Sequence, residues 1–198
     1  MPTTCLMRNW QDPFYLQHGN ARQQHTLAVL QRLALWPTLH AFGPVLTGTI
    51  PLDIDVAGSD ADVVCEVQPA NWPAFVALVR GHYGHLPGFR LAERRIGGLD
   101  SVVASFSTDN LVVELFGQAL PATQQQAYRH MLVEHAILEA GGEPWRRAVR
   151  ALKQQGQKTE PAFASLLGLP GDPYQALLTL EGLSAPALAA LVARCALP

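Results

Sequence analysis

A chain of 198 residues, 48% of them apolar, suits one domain, or one domain with a small helical extension, and is too apolar to stay disordered. Its formal net charge is -2 with 15% charged residues, so no basic block marks a non-specific nucleic-acid binder, although net charge leaves room for a local basic groove. The three cysteines, Cys5, Cys65 and Cys195, form no disulfide framework, no N-terminal run reads as a leader, and no stretch approaches the roughly 20 apolar residues of a membrane span, so a reduced cytoplasm is the expected setting.

In chain order, Trp10, Pro13, Phe14 and Tyr15 among polar residues predict a packed loop or arm over 1–19. Ala21, Leu27, Leu30, Ala34 and Leu35 recur at helical spacing, which predicts a helix over 20–35 that Pro37 ends. Residues 43–50 predict a short strand running into a glycine turn, 51–59 a loop, and the β-branched run at 60–67 a second strand. Trp72, Phe75, Val76 and Val79 predict a helix over 70–82. Strands are predicted at 89–95, 101–107 and 110–116, the last two joined by a turn at Thr108-Asp109-Asn110. After Pro121 the period changes, and five short helices are predicted at 122–139, 143–154, 160–167, 173–180 and 185–195. The fold class expected is α+β: a mixed sheet flanked by helices over 1–120, with a helical C-terminal subdomain over 121–198.

Asp60 and Asp62 stand two residues apart at the start of a predicted strand, where alternation points both side chains to one face. Two such carboxylates repel unless protons or a cation lie between them, and Mg²⁺ is the natural partner because it prefers carboxylate oxygens, waters and phosphates. A bare Asp-x-Asp is also compatible with a solvated turn. The small-residue turn at Gly48-Thr49 adds backbone N–H groups and a hydroxyl that can approach a phosphate. Glu114 sits inside the apolar run Val112-Val113-Glu114-Leu115-Phe116, where an ionised carboxylate is costly without a cation. The alternatives are a pairing with an arginine such as Arg94, or an edge strand facing solvent. Glu66 shares the parity of Asp62 but lies about 13 Å along the strand, too far to share ions held roughly 3.5–4 Å apart. Asp53 and Asp55, a second Asp-x-Asp in the loop, are kept as groups that touch substrate or support the ligands.

Gly48-Thr49, then Ser59-Asp60-Ala61-Asp62-Val63, then Glu114 resembles the signature of the DNA polymerase beta-like nucleotidyltransferase superfamily. Gly48-Thr49-Ile50-Pro51, Glu114-Leu115-Phe116-Gly117-Gln118, Ala127-Tyr128-Arg129-His130 and Lys158-Thr159-Glu160-Pro161-Ala162-Phe163 resemble an uncharacterised bacterial branch of it, domain-of-unknown-function family 4269. The resemblance spans roughly residues 15–180 and implies a nucleotidyltransferase-like fold. It also implies Asp60, Asp62 and Glu114 as catalytic metal ligands and two Mg²⁺ ions, with Mn²⁺ as a substitute. Gly48, Thr49 and Ser59 are the implied substrate-binding residues. One departure is that Ile50-Pro51-Leu52 follows the turn where many members carry an arginine, and Thr49 replaces serine.

A triphosphate needs cations besides its metals, and Arg129, Lys153 and Lys158 are the available ones. The seven histidines form no zinc pattern: His82 and His85 are separated by glycine, and His130 and His135 share no helical face. The function expected is transfer of a nucleoside monophosphate from an NTP to an acceptor hydroxyl: a small molecule, an RNA end or a protein. The rival expectation is a non-catalytic domain that binds a nucleotide or a protein partner. No membrane partner is expected.

Overall fold

The computed structural model describes residues 9–197, so the start of the expected N-terminal arm, with Cys5, lies outside the described residues. Two compact units result, one up to Leu46 and from Ala61 to Ala122, the other Thr47–Asp60 and from Thr123 onward. The secondary structure is mixed, with a five-stranded sheet, as the α+β patterning anticipates.

In the first unit, Pro13–His18 is a short 3-10 turn capped by Asp12, with Trp10 edge-on to Tyr15 at 5.4 Å. Helix α1, Ala21–Arg32, opens on a capping box: the Asn20 side chain accepts from the Gln23 N–H while the Gln23 side chain accepts from the Asn20 N–H. The helix ends at Arg32, before Pro37. Pro37 falls instead inside a second helix, α2, Leu35–Leu39. Its missing N–H belongs to the first turn, where no helical acceptor exists anyway, so the ring is tolerated.

Strands β1 (Val45–Thr47), β2 (Ala61–Glu66), β3 (Arg90–Ile96), β4 (Leu99–Thr108) and β5 (Leu111–Gln118) lie in the order β1-β2-β5-β4-β3. β2 runs parallel to β5, while β5, β4 and β3 form an antiparallel meander. Both meander turns have two residues with positive φ, Gly97-Gly98 (60° and 81°) and Asp109-Asn110 (47° and 58°), the geometry that matches strand twist. The Gly97-Gly98 turn lets β4 begin at Leu99, earlier than the apolar run alone suggests.

The two sheet faces differ in kind. Ala61, Val63 and Cys65 of β2, Val113 and Leu115 of β5, and Val102, Ala104 and Phe106 of β4 are all buried and share one face by alternation. Helix α3, Trp72–Tyr83, covers that face with Phe75, Val79 and Tyr83 at helical spacing. Tyr83 stacks on Phe106 with centroids 5.0 Å apart. Phe75 reaches Gly117: a Cβ there would meet Val67 Cγ2 at 2.8 Å and Phe75 Cε1 at 3.1 Å, so glycine brings helix and strand into contact.

In the second unit, helix α4, Gln126–Gln154, is broken at Gly142 (φ 63°, ψ -155°), close to where Gly141-Gly142 predicts a stop. Pro144 opens the second half. A side chain at Gly141 would collide with the Trp145 ring at 2.1 Å, so the chain folds its own tryptophan over the break. Helices α5 (Thr159–Leu167), α6 (Pro173–Leu178) and α7 (Ala185–Ala193) pack against α4. The segment Thr47–Asp60 belongs to this unit: Ile50, Leu52 and Ile54 are fully buried, and Arg150 donates to the Asp53 carbonyl and, at 2.8 Å, to its carboxylate. No helix among the described residues is long and apolar enough to cross a membrane.

Candidate active site

The sheet face opposite α3 carries the acids. Asp62 of β2 is registered against Glu114 of β5, and both side chains leave that face half-buried. Neighbouring strands stand about 4.8 Å apart, so the two carboxylates start from adjacent backbone positions. β5 is the middle strand of five, which removes the reading of Glu114 as an edge residue facing solvent. Arg94 lies in a different transverse row, opposite Ser101, and does not face Glu114. Glu66 is also on this face but four residues farther along β2, opposite Gln118, where it accepts from Gln68 Nε2 at 2.9 Å.

Asp60 is the last residue of the Thr47–Asp60 segment and lies two residues before Asp62. That segment leaves β1 through Gly48, whose φ of 79° suits glycine. The Thr49 carbonyl accepts from both Leu52 and Ile54 N–H at 3.2 Å, curling the chain into a compact turn. Ser59 Oγ accepts from the Val56 N–H at 3.0 Å, and Gly58 (φ 87°) completes that turn. Asp53, with φ 55°, is gripped by Arg150, so the first of the two loop aspartates is tied to a structural cation.

The cations picked out from sequence belong to the helical unit. Arg129 forms a forked pair with Glu181, Nη2 to Oε2 at 2.5 Å and Nε to Oε1 at 3.1 Å, and this contact holds the Glu181 carboxyl below its ordinary range. Lys158 is exposed at the start of α5, and Lys153 is half-buried near the end of α4. His130 is buried, with Nε2 2.9 Å from the Tyr174 carbonyl and Nδ1 3.6 Å from Glu160. Four residues on, Glu134 is buried too. Desolvation first, and then Glu160, push its carboxyl up to about 8, against the opposing pull of Lys153. Glu134 escaped the sequence reading because a single Glu in an amphipathic helix carries no signal of burial.

Among the described residues, no three His, Cys, Asp or Glu side chains are gathered closely enough to hold a metal ion. The structure brings two carboxylates into register on adjacent strands. As a donor set, hard anionic oxygens from adjacent strands fit Mg²⁺, and Asp62 and Glu114 would hold it.

Similar folds occur among solved structures. A complex of GLD-2 with RNP-8 matches with a TM-score of 0.51 at 12% identity, over 78% of this chain and 61% of that one. The Cid1 poly(U) polymerase bound to MgGTP matches with a TM-score of 0.52 at 11% identity, over 85% of this chain and 54% of that one. A further Cid1 structure, described for its RNA terminal uridylyl transferase activity, gives a TM-score of 0.53 at 10% identity, over 85% and 53%. The chain thus spans little more than half the length of these proteins, and at such identities the likeness is one of fold: a nucleotidyltransferase fold. No curated protein matches the chain. One family model matches residues 28–180, most of the chain, and on that match the chain belongs to the family described as Domain of unknown function (DUF4269).

Proposed function

We propose that this chain transfers a nucleoside monophosphate from an NTP to an acceptor hydroxyl, with magnesium and with release of pyrophosphate. The observation that carries the reading is the parallel register of Asp62 beside Glu114 on the central strands of a nucleotidyltransferase fold. Mg²⁺, when bound, neutralises charge on the triphosphate and lowers the pKa of the attacking hydroxyl. Asp62 and Glu114, with Asp60 two residues before β2, would hold it. Glu114 would also accept the hydroxyl proton. The acceptor oxygen forms a bond to the α-phosphorus, the bond to the bridging oxygen breaks, and pyrophosphate leaves. The N–H groups of Gly48 and Thr49, the Thr49 hydroxyl and Ser59 are assigned to the nucleotide. Of the three cations, Arg129 is already engaged by Glu181 and Lys153 acts on the buried Glu134, so the reading leans on the exposed Lys158. Among acceptors an RNA end is favoured, because a Cid1 neighbour is described as an RNA terminal uridylyl transferase.

The test is pyrophosphate release with Mg²⁺ from a panel of NTPs, offered RNA, small-molecule and protein acceptors. Asp62→Asn should keep the fold and lower turnover by orders of magnitude, since it removes a charge at constant shape. Release that survives Asp62→Asn would refute the mechanism. A second reading, a nucleotide-binding domain without catalysis, draws on the absence of a gathered three-carboxylate cluster among the described residues and on Ile50-Pro51 where many relatives carry arginine. Titration of ATP with and without Mg²⁺ separates the two: metal-independent binding with no release favours the second.

A further inference from the structure

We propose that Arg90 and Arg94 form a phosphate-binding rail for a single-stranded nucleic-acid acceptor. The proposal rests on the reading above for the acceptor's role, and on the sheet for its placement. β3 is the last strand of the sheet, and both arginines are exposed on it. The register runs Arg90–Ser105–Glu114–Asp62 in one transverse row and Arg94–Ser101–Gln118–Glu66 in another. Residues in register share a face, so this face passes from acids on β2 and β5 to guanidinium groups on β3; on β4 between them Ser105 is half-buried, while the Ser101 hydroxyl is buried and accepts from Gln118 Nε2 at 2.9 Å. Arg90 lies two strand spacings from Glu114, roughly 10 Å.

The other arginines of this unit that flank the sheet's turns are spoken for. Arg95 points to the opposite face, stands in register with Asp100, and donates Nε to the Gly98 carbonyl at 3.1 Å. Arg32 pairs with Asp109, and Arg22 donates to the Asn110 carbonyl at 3.4 Å. Among the described residues, Arg90 and Arg94 have neither a carboxylate partner nor a side-chain hydrogen bond. Charges on an edge strand are often there to prevent edge-to-edge pairing. That accounts for charge at β3 but not for its sign and parity: both arginines fall on the face of the acids, while Glu93 falls on the other.

Spacing selects the ligand. Four residues separate the two arginines, about 13 Å along the strand, so one phosphate cannot touch both. A strand with phosphates at regular intervals can, with its terminal hydroxyl at Glu114 and an upstream phosphate at Arg90. Guanidinium groups suit this task, because they pair phosphate oxygens in a fork and stack on bases.

The experiment measures anisotropy of a labelled single-stranded oligoribonucleotide of mixed sequence on the full chain, without NTP or metal, across a salt series. Arg90→Ala with Arg94→Ala should flatten the slope of log K against log salt by about 1.4, at about 0.7 per phosphate contact. Arg90→Lys with Arg94→Lys should retain the slope. Arg80→Ala, on the helix covering the opposite face, controls for loss of charge alone and should leave the slope unchanged. Thermal unfolding checks that the double variant is folded. An unchanged slope in the double alanine variant overturns the proposal. So do an equal loss in Arg80→Ala, a nucleoside monophosphate bound as tightly as the strand, and no strand binding at all. The assay is blind to catalysis: a rail without pyrophosphate release refutes the proposed reaction alone, and release without a rail refutes the rail alone.

Discussion

Two glutamates show how differently this chain treats an acid among apolar neighbours. Glu114 stands in a strand of valine, leucine and phenylalanine, yet it is only half-buried and Asp62 lies beside it. Glu134 is shut among the helices, beside Glu160 and His130's side of α4, and its carboxyl is pushed up to about 8. Two half-buried carboxylates side by side are a donor set that suits a hard cation, whereas burial favours the protonated form of the Glu134 carboxyl. The first arrangement is the one to which the proposed reaction is assigned. The second is a cost carried by the helical unit.

The largest expected effect tests the first half of that contrast. Glu114→Gln should lower pyrophosphate release by orders of magnitude, while Glu66→Gln, four residues from the pair, should change it little. Equal losses in steady-state kinetics would mean that the whole acidic face acts as one field and that register is irrelevant.

Next in size is the pH dependence of stability, which tests the second half. Below about 4.5, the ordinary value, Glu134 is protonated in both folded and unfolded chains. Between 4.5 and about 8 the unfolded chain releases a proton that the folded chain keeps, so stability falls as pH rises through this window and levels off above it. The loss is on the order of a few kcal/mol. Glu134→Gln should remove that dependence in thermal melts; a wild-type melting temperature that stays flat across the window would contradict the assignment.

Much of this arrangement is legible in the sequence. Period-two runs place β2, β4 and β5 within a residue or two, and Asp62 and Glu114 are visible because carboxylates interrupt those runs. Glu134 is not, because a helix of mixed composition hides which residue faces inward. Arg150's grip on Asp53 spans 97 positions, and no local pattern encodes it. The rows that align Arg90 with Glu114 depend on strand order and register, which spacing along the chain does not specify.

Two smaller effects bear on helix-to-sheet packing and on the nucleotide. Gly117→Ala thrusts a methyl group toward Val67 and Phe75 on the packed face and should cost about 1–3 kcal/mol in chemical denaturation. A neutral result would show that α3 is loosely seated. Thr49→Ala removes one hydroxyl donor and should weaken Mg²⁺–NTP binding by about 1 kcal/mol, read by calorimetry, with the fold intact. Unchanged affinity would take Thr49 out of the nucleotide's reach.

The pairing of β2 with β5 has a consequence for how the molecule is made. β3, β4 and β5 follow one another through two-residue turns and can zip together locally. β2 joins only after α3 and the whole meander have been laid down, and its register with β5 closes a loop of some fifty residues between Asp62 and Glu114. Loop closure of that kind is slow relative to hairpin formation, because its entropy must be met before the contacts reward it. The acidic pair therefore comes into existence late. A partly folded chain would hold a finished hairpin meander and no place for a cation, and time-resolved hydrogen exchange should find the β4–β5 amides protected before those of β2.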